Sequence, residues 1–285
     1  MKINTISPDE SDYLKILASI AKVPEKLHYS GKLPTSRQTT VAIVGTRRPS
    51  AYGKEVTRRL ATDLAKRGVV IVSGLALGVD AIAHSATLEA GGTTIAVLGN
   101  GLPAIQPATN RGLAESIIRS GGAVLSEYPE NEEARPYYFL ERNRLVAGLA
   151  DAIIITEAAT RSGTLNTAAH ALEQGKEIFV VPGNITSPLS SGCNALLKQG
   201  ARVVTSYQDV LDVIAPNLAG SQTLLPLGQN ELEVTIIRLI AGGVRDGDDI
   251  RRQSGASGAE FSTTLTMLEI AGSIRALGAN QWTIR

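Results

Sequence analysis

Five short segments of this sequence combine glycine with arginine, asparagine or small hydroxylic residues in ways that suit phosphate oxygens. They are Gly45-Thr46-Arg47-Arg48-Pro49-Ser50, Ser73-Gly74-Leu75-Ala76-Leu77-Gly78, Gly99-Asn100-Gly101, Arg161-Ser162-Gly163-Thr164 and Pro182-Gly183-Asn184. Glycine lets a backbone approach a ligand closely. Free N–H groups at helix N-termini, joined by Ser and Thr hydroxyls, hold anions. One such segment is equally well explained by a tight turn. Five behind successive apolar runs argue for an anion-binding rim, with Arg47 and Arg48 inside its first loop.

Other chemistries fit poorly. The first apolar run lacks the G-x-G-x-x-G fingerprint, the second ends at Ser73-Gly74 without an acid for a ribose, and no G-x-x-x-x-G-K-[ST] occurs. Asp80 and His84 are four residues apart on one predicted helix; a structural ion pair is the expected reading, ahead of an acid–base dyad. His170 stands among Ala168, Ala169, Ala171 and Leu172, as a packed histidine would, and Cys193 has no base in sequence reach. With a single cysteine and three histidines, no disulfide, metal, cofactor or catalytic residue is expected.

The elements that must carry the rim read as α/β. Apolar runs at Val41–Val44, Val69–Val72, Thr94–Leu98, Ala123–Leu125, Ala152–Thr156, Glu177–Val181 and Arg202–Val204 are short and Val/Ile-rich, as strands buried on both faces are. Helical patterns lie between them, near 53–67, 78–90, 109–120, 136–149, 164–174 and 190–199. This alternation predicts a doubly wound, mostly parallel sheet over 39–215. Residues 1–38 form a short N-terminal extension with one amphipathic helix candidate, Tyr13–Ile20, and 216–229 read as a linker. Residues 230–285 carry helix patterns at Glu231–Ile240, Asp248–Gln253 and Gly258–Ile270, then a β-ribbon at Ser273–Arg285, which suits a winged helix.

The 285 residues nearly cancel in charge, at +1, with 43% apolar and 4% aromatic residues. Acids at Asp9, Glu10 and Asp12 argue against a signal peptide, so a cytoplasmic protein is expected. Locally, 47–67 holds seven Lys and Arg against two acids, a net of +5. Such an excess suits a polyanion, although Arg58, Arg59, Lys66 and Arg67 are better read as a solvated helix face. Arg142 and Arg144 form a second basic group. Aromatic residues near the rim are few (Tyr52, Tyr137, Tyr138 and Phe139), so affinity for a single strand would rest mostly on phosphates.

In order along the chain stand VAIVGTR at Val41–Arg47, SGLALGVDAIAH at Ser73–His84, TIAVLGNGL at Thr94–Leu102 and LSEYP at Leu125–Pro129. RNRLVAGL follows at Arg142–Leu149, then RSGTL at Arg161–Leu165, VVPG at Val180–Gly183 and NALLKQGA at Asn194–Ala201. With these motifs the sequence resembles the DNA processing protein A family (DprA, also called Smf) over roughly residues 13–213. The resemblance implies a Rossmann-like domain that binds single-stranded DNA, protects incoming DNA in natural transformation and helps load the RecA recombinase. It further implies a homodimer through that domain and no enzymatic activity. Carried over, the phosphate motif falls on Gly45, Thr46 and Arg47, with Arg48 beside it, and Ser73 and Gly74 complete the cradle. The R-N-R motif falls on Arg142, Asn143 and Arg144, and the R-S-G-[ST] loop on Arg161, Ser162, Gly163 and Thr164. Arg142 and Arg144 would extend the track, and Asn143 would tie loops together.

Leu140, Pro103, Gln106 and Asn166 depart from the family pattern, which bears on pocket shape. The N-terminal extension is also too short for the helical domain that many members carry. The rival reading is a Rossmann-like nucleotide phosphoribohydrolase, which uses a carboxylate and an arginine. Glu157 lies near Arg161, but Thr164 is followed by Leu165, Asn166 and Thr167 where that family's loop ends in an acid. Residues 231–285 hold six arginines against seven acids, and Gly258–Ile270 has no cation. Major-groove reading is therefore not expected of this segment, and protein contact is.

Overall fold

The computed structural model describes residues 1–219, 230–278 and 280–284. They fall into two compact units, Met1–Leu218 and Ala219–Arg285.

The first unit is built on a nine-stranded sheet in the order β1-β2-β6-β5-β4-β3-β7-β8-β9. Its strands are β1 (Asn4–Ile6), β2 (Leu27–Gly31), β3 (Thr40–Val44), β4 (Val70–Ser73), β5 (Thr94–Leu98), β6 (Ala123–Ser126), β7 (Ala152–Ile155), β8 (Glu177–Val180) and β9 (Arg202–Val203). Every pairing from β6 to β9 is parallel, while β1–β2 and β2–β6 are antiparallel. The helices are α1 (Ala51–Ala65), α2 (Val79–Glu89), α3 (Arg111–Arg119), α4 (Pro136–Leu149), α5 (Gly163–Glu173), α6 (Ser191–Lys198), α7 (Tyr207–Ile214) and the short α8 (Pro216–Ala219).

Burial on both faces explains the uninterrupted apolar runs. Ile95 and Val97 of β5 face one core cluster with Leu145, Val146 and Leu149 of α4. Ala96 and Leu98, alternating with them, face another with Ala114 and Ile117 of α3. Each fully buried aliphatic side chain contributes about 1.5–3 kcal/mol.

Residues 1–38 do not stand outside the sheet: β1 and β2 extend its edge beyond β6. The helix expected at Tyr13–Ile20 is a 3-10 turn over Lys15–Ser19. Leu14, Leu17 and Ile20 recur every three residues, the period of that tighter helix, and all three are buried. The sequence pattern gave no expectation of α7, whose first turn is held by a capping box between Ser206 and Asp209. Of the expected linker, 220–229 lies outside the described residues.

The second unit contains α9 (Glu231–Ala241), α10 (Gly247–Ser254), α11 (Gly258–Ile270) and an antiparallel ribbon of β10 (Ile274–Gly278) and β11 (Gln281–Ile284). Ile236, Ile237, Ile240, Ile250, Phe261, Leu265, Leu268 and Ile274 form its core.

Candidate functional site

The chain runs outward from β3 through β4 and β5 to β6, then crosses back to β7 on the far side of β3. Successive connections diverge there, leaving a crevice at the carboxyl ends of β3 and β7, where open α/β sheets bind ligands. A cleft of about 440 Å³ occupies this place. Gly45, Thr46 and Arg47 line it after β3, Gly74 and Ala76 after β4, and Arg161, Ser162, Gly163 and Thr164 after β7. Phe139, Leu140, Arg142, Asn143 and Val146 of α4 and Thr167 of α5 complete the wall.

The loop after β3 is held from both sides. Thr46 donates its amide to Glu157 O at 2.8 Å, and its carbonyl accepts from Val79 N at 3.2 Å. Its hydroxyl accepts from the amide of Arg48 at 3.2 Å. This leaves Arg47 exposed at the cleft, with no ion pair among the described residues. Arg161, also exposed, lines the cleft from the loop after β7. The N-terminus of α5 lines the same cleft. Ser162 caps it, accepting from Thr164 N at 3.2 Å and donating to Thr164 Oγ1 at 3.0 Å. A Cβ on Gly163 would meet nothing nearer than Leu140 Cδ2 at 4.0 Å, so this helix end faces open space. The helix dipole and two free guanidinium groups together attract an anion.

Beneath the cleft lie two buried charges of opposite sign, Asp80 and Arg142, each bonded to the backbone of Gly74. Asp80 Oδ2 accepts from Gly74 N at 3.1 Å and Ala76 N at 3.3 Å. Arg142, only 5% exposed, donates to Gly74 O at 2.7 Å, to Val97 O, and to Asn143 Oδ1 at 3.3 Å. Burial pushes the Asp80 carboxyl up, against the pull of Arg142 and the loop amides. Burial likewise brings the Arg142 guanidinium down to about 10, against the pull of Asp80.

Several residues stand elsewhere than their types and spacing suggest. Arg142 braces the loop after β4 against strand β5 and is not a surface cation. Arg144 is 6% exposed, pairs with Glu127 and lies outside the cleft. Ser73 is buried and donates its hydroxyl to Ile43 O at 2.7 Å, so it is spent on the sheet. Arg48 is exposed but does not line the cleft. The Asp80–His84 pair does not form: His84 Nδ1 lies 2.6 Å from Thr94 Oγ1, which itself donates to Ile71 O at 2.7 Å. His170 is half-buried, 3.3 Å from Glu173. Cys193 is buried, which raises its thiol to about 11.

Of the five glycine-bearing loops, three meet at the cleft. The loop after β5 is covered: Gly101 N donates to Glu132 O at 2.8 Å, and Asn100 Nδ2 donates to Gly101 O and Ala104 O, both at 2.9 Å. The loop after β8 is tied to Asn194 and borders a separate cavity. Asn143 Nδ2 donates to Asn166 Oδ1 at 3.1 Å, bridging α4 to α5 through one of the residues that depart from the family pattern.

Val146 of the α4 wall is not foreseen from the sequence, and Phe139 is foreseen only as an aromatic residue near the rim, not as part of the wall. Their i, i+3, i+7 spacing with Arg142 marks one helix face and could have revealed them. The start of α1 is also unforeseen. Glu157 is buried at its N-terminus and accepts from Ser50 N at 2.9 Å and Ser50 Oγ at 2.5 Å. The positive end of α1 is thereby occupied by the protein's own carboxylate, and the open helix end belongs to α5. Among the described residues, no cluster of three or more His, Cys, Asp or Glu could hold a metal ion, and no helix is long and apolar enough to cross a membrane.

Residues 4–215 match the family model described as DNA recombination-mediator protein A. The chain is 38% identical over 280 residues to Protein Smf of Escherichia coli K12, across 95% of this chain and 75% of that protein. It is 43% identical over 195 residues to the DNA processing protein DprA of Streptococcus pneumoniae, across 68% of each. The solved structure of DNA processing protein A from Streptococcus pneumoniae superposes with a TM-score of 0.69 and 40% identity, covering 75% of each chain. That from Helicobacter pylori, solved to give insight into its single-stranded DNA binding mode, superposes with a TM-score of 0.67 and 35% identity. It covers 76% of this chain and 97% of that one.

Proposed function

The chain belongs to the DNA recombination-mediator protein A family, and from that premise we propose that it binds single-stranded DNA and processes it during natural transformation. The observation that carries this reading is the open N-terminus of α5 in a cleft also lined by Arg47 and Arg161, neither of which has an ion pair among the described residues. Phosphates of an extended strand would enter the cleft one after another, meeting Arg47, the Gly163 region of α5 and Arg161. Such contacts position a strand without reading its sequence. The buried Arg142 adds positive charge from below, and Asn143 holds α4 and α5 at fixed separation. A flexible single strand can bend its backbone into this concavity. Duplex DNA, stiff over about 150 bp, carries its phosphates on a convex surface that fits it poorly.

The protein acts as a binding module in this reading, shielding incoming strands in the cytoplasm and passing them to RecA, and it works as a homodimer through the Rossmann-like unit. Nothing in the cleft is poised as a general base, because the Asp80 carboxylate is buried and already accepts from two amides. The phosphoribohydrolase reading has no supporting geometry: Glu157 is tied to Ser50, and no acid follows Thr164 for three residues.

A salt titration with single-stranded and duplex oligonucleotides of equal length, repeated with RecA present, tests the proposal. Tighter, steeply salt-dependent binding of the single strand is expected. Equal affinity for both forms, or free base released from nucleoside monophosphates at enzymatic rates, would refute it.

A further inference from the structure

A second cavity, of about 480 Å³, lies at the carboxyl ends of the same strands. Glu157 relates the two: its backbone carbonyl holds the amide of Thr46 in the phosphate loop, and the residue is among those that line the second cavity. Tyr52, Pro182 and Asn184 form other parts of the wall. We propose that this cavity receives a nucleobase, guanine in preference, from the strand whose phosphates lie in the first cleft, an inference that rests on the single-strand reading above.

Three features argue for a base and against a phosphate. Tyr52 is 47% exposed although its hydroxyl donates to Pro182 O at 3.0 Å. The tether fixes the ring at the cavity, and no aromatic or guanidinium group stacks on it among the described residues. A fixed, half-exposed ring offers a stacking surface to any base.

The Glu157 carboxylate repels phosphate and accepts N–H groups. Each of its oxygens receives one bond from Ser50, and a carboxylate has about four acceptor sites. Glu157 is only 3% exposed and its Oε2 packs against Gly53, so a single acceptor site, on Oε1, is left for the cavity, and the N1–H of guanine is a suitable donor to it. Asn184 supplies the opposite polarity. Its Oδ1 accepts from Thr186 N at 3.0 Å and Thr186 Oγ1 at 2.9 Å, which turns its amide N–H groups to other partners, and the O6 of guanine is a suitable one.

The test uses the full chain and three oligonucleotides of one length: oligothymidine, the same strand with interspersed guanines, and a strand with 5-iodouracil for photocrosslinking. Wild type should favour the guanine-bearing strand and crosslink at Tyr52. Tyr52→Ala should weaken binding about fivefold or more without changing its salt slope. Tyr52→Phe, which keeps the ring, should bind as wild type does, and Glu157→Gln should erase the guanine preference. Unchanged affinity in Tyr52→Ala, equal loss in Tyr52→Phe, or no guanine preference in wild type overturns the inference while leaving the single-strand reading intact if Arg47→Ala still binds weakly. Failure of wild type to bind any single strand overturns both.

Discussion

The guanidinium of Arg142 rests on the backbone of Gly74, donating to its carbonyl at 2.7 Å, while the amide of the same glycine donates to Asp80 at 3.1 Å. A Cβ at position 74 would stand 2.5 Å from Arg142 Nη2. Glycine is needed here to let the arginine close over the loop, which places the cleft floor. Removing Arg142 would leave Asp80 buried without its opposing charge. It would also leave the buried carbonyls of Gly74 and Val97 without their charged donor, at a cost of about 1–3 kcal/mol each. Arg142→Ala is therefore expected to lower the urea midpoint of unfolding markedly, and an unchanged midpoint would show that the brace is dispensable.

Arg47 and Arg161 should behave in the opposite way. Both are exposed and neither has an ion-pair partner among the described residues. Replacing either with alanine should leave the unfolding midpoint within about 0.5 kcal/mol of wild type. Each substitution should weaken single-strand binding alike for different base sequences and reduce the salt slope by about 0.7–1. Fluorescence anisotropy across a salt series reads both quantities. A loss confined to certain base sequences would move these residues from phosphate to base contact.

Arg144 separates position in a motif from function. Its guanidinium pairs with Glu127 outside the cleft, so Arg144→Ala should destabilise the fold and leave the salt slope of single-strand binding as it is. A reduced slope at intact stability would return Arg144 to the DNA track.

These four arginines also mark what residue type alone can and cannot convey. Parallel strands are legible because burial on both faces demands unbroken apolar runs, and β3 to β8 each contain one. The edge strands β1 (NTI) and β2 (LHYSG) carry polar residues, so their pattern is weak. In the site, glycine and hydroxyl spacing exposed the loops but not which of them the protein fills with its own groups. The loop after β5 is closed by the 129–132 segment, and the start of α1 by Glu157, both distant in sequence. Arg142 and Arg144 are two residues apart, about 200° around a helix, so one track could never have held both. That signal was present in the spacing and outweighed by their shared charge.

Ser50 ties the start of α1 to Glu157 at the second cavity through one hydroxyl. Its Oγ accepts from Gly53 N at 3.1 Å as the N-cap of α1 and donates to Glu157. Ser50→Ala loses the cap and leaves a buried carboxylate short of one donor, a cost of about 1–2 kcal/mol. Chemical unfolding should register that loss. A cost near zero would mean that Glu157 takes over the capping of α1.

His84 should make stability depend on pH. Burial holds its pKa near 3, down from 6.5, with the charge of Arg142 acting in the same direction. Between these values the unfolded chain carries a proton on the imidazole that the folded chain refuses. Stability is therefore retained above about pH 6.5 and falls as the pH drops through the window, by about 1.4 kcal/mol per unit at full slope. Thr94 Oγ1 donates to Ile71 O, so it accepts from His84 Nδ1, and an asparagine at 84 can supply a similar donor without titrating. Unfolding free energies of wild type and His84→Asn measured from neutral pH down to about pH 5 should diverge, with wild type losing more. Parallel curves would mean that the imidazole is protonated as freely in the folded chain as in the unfolded one.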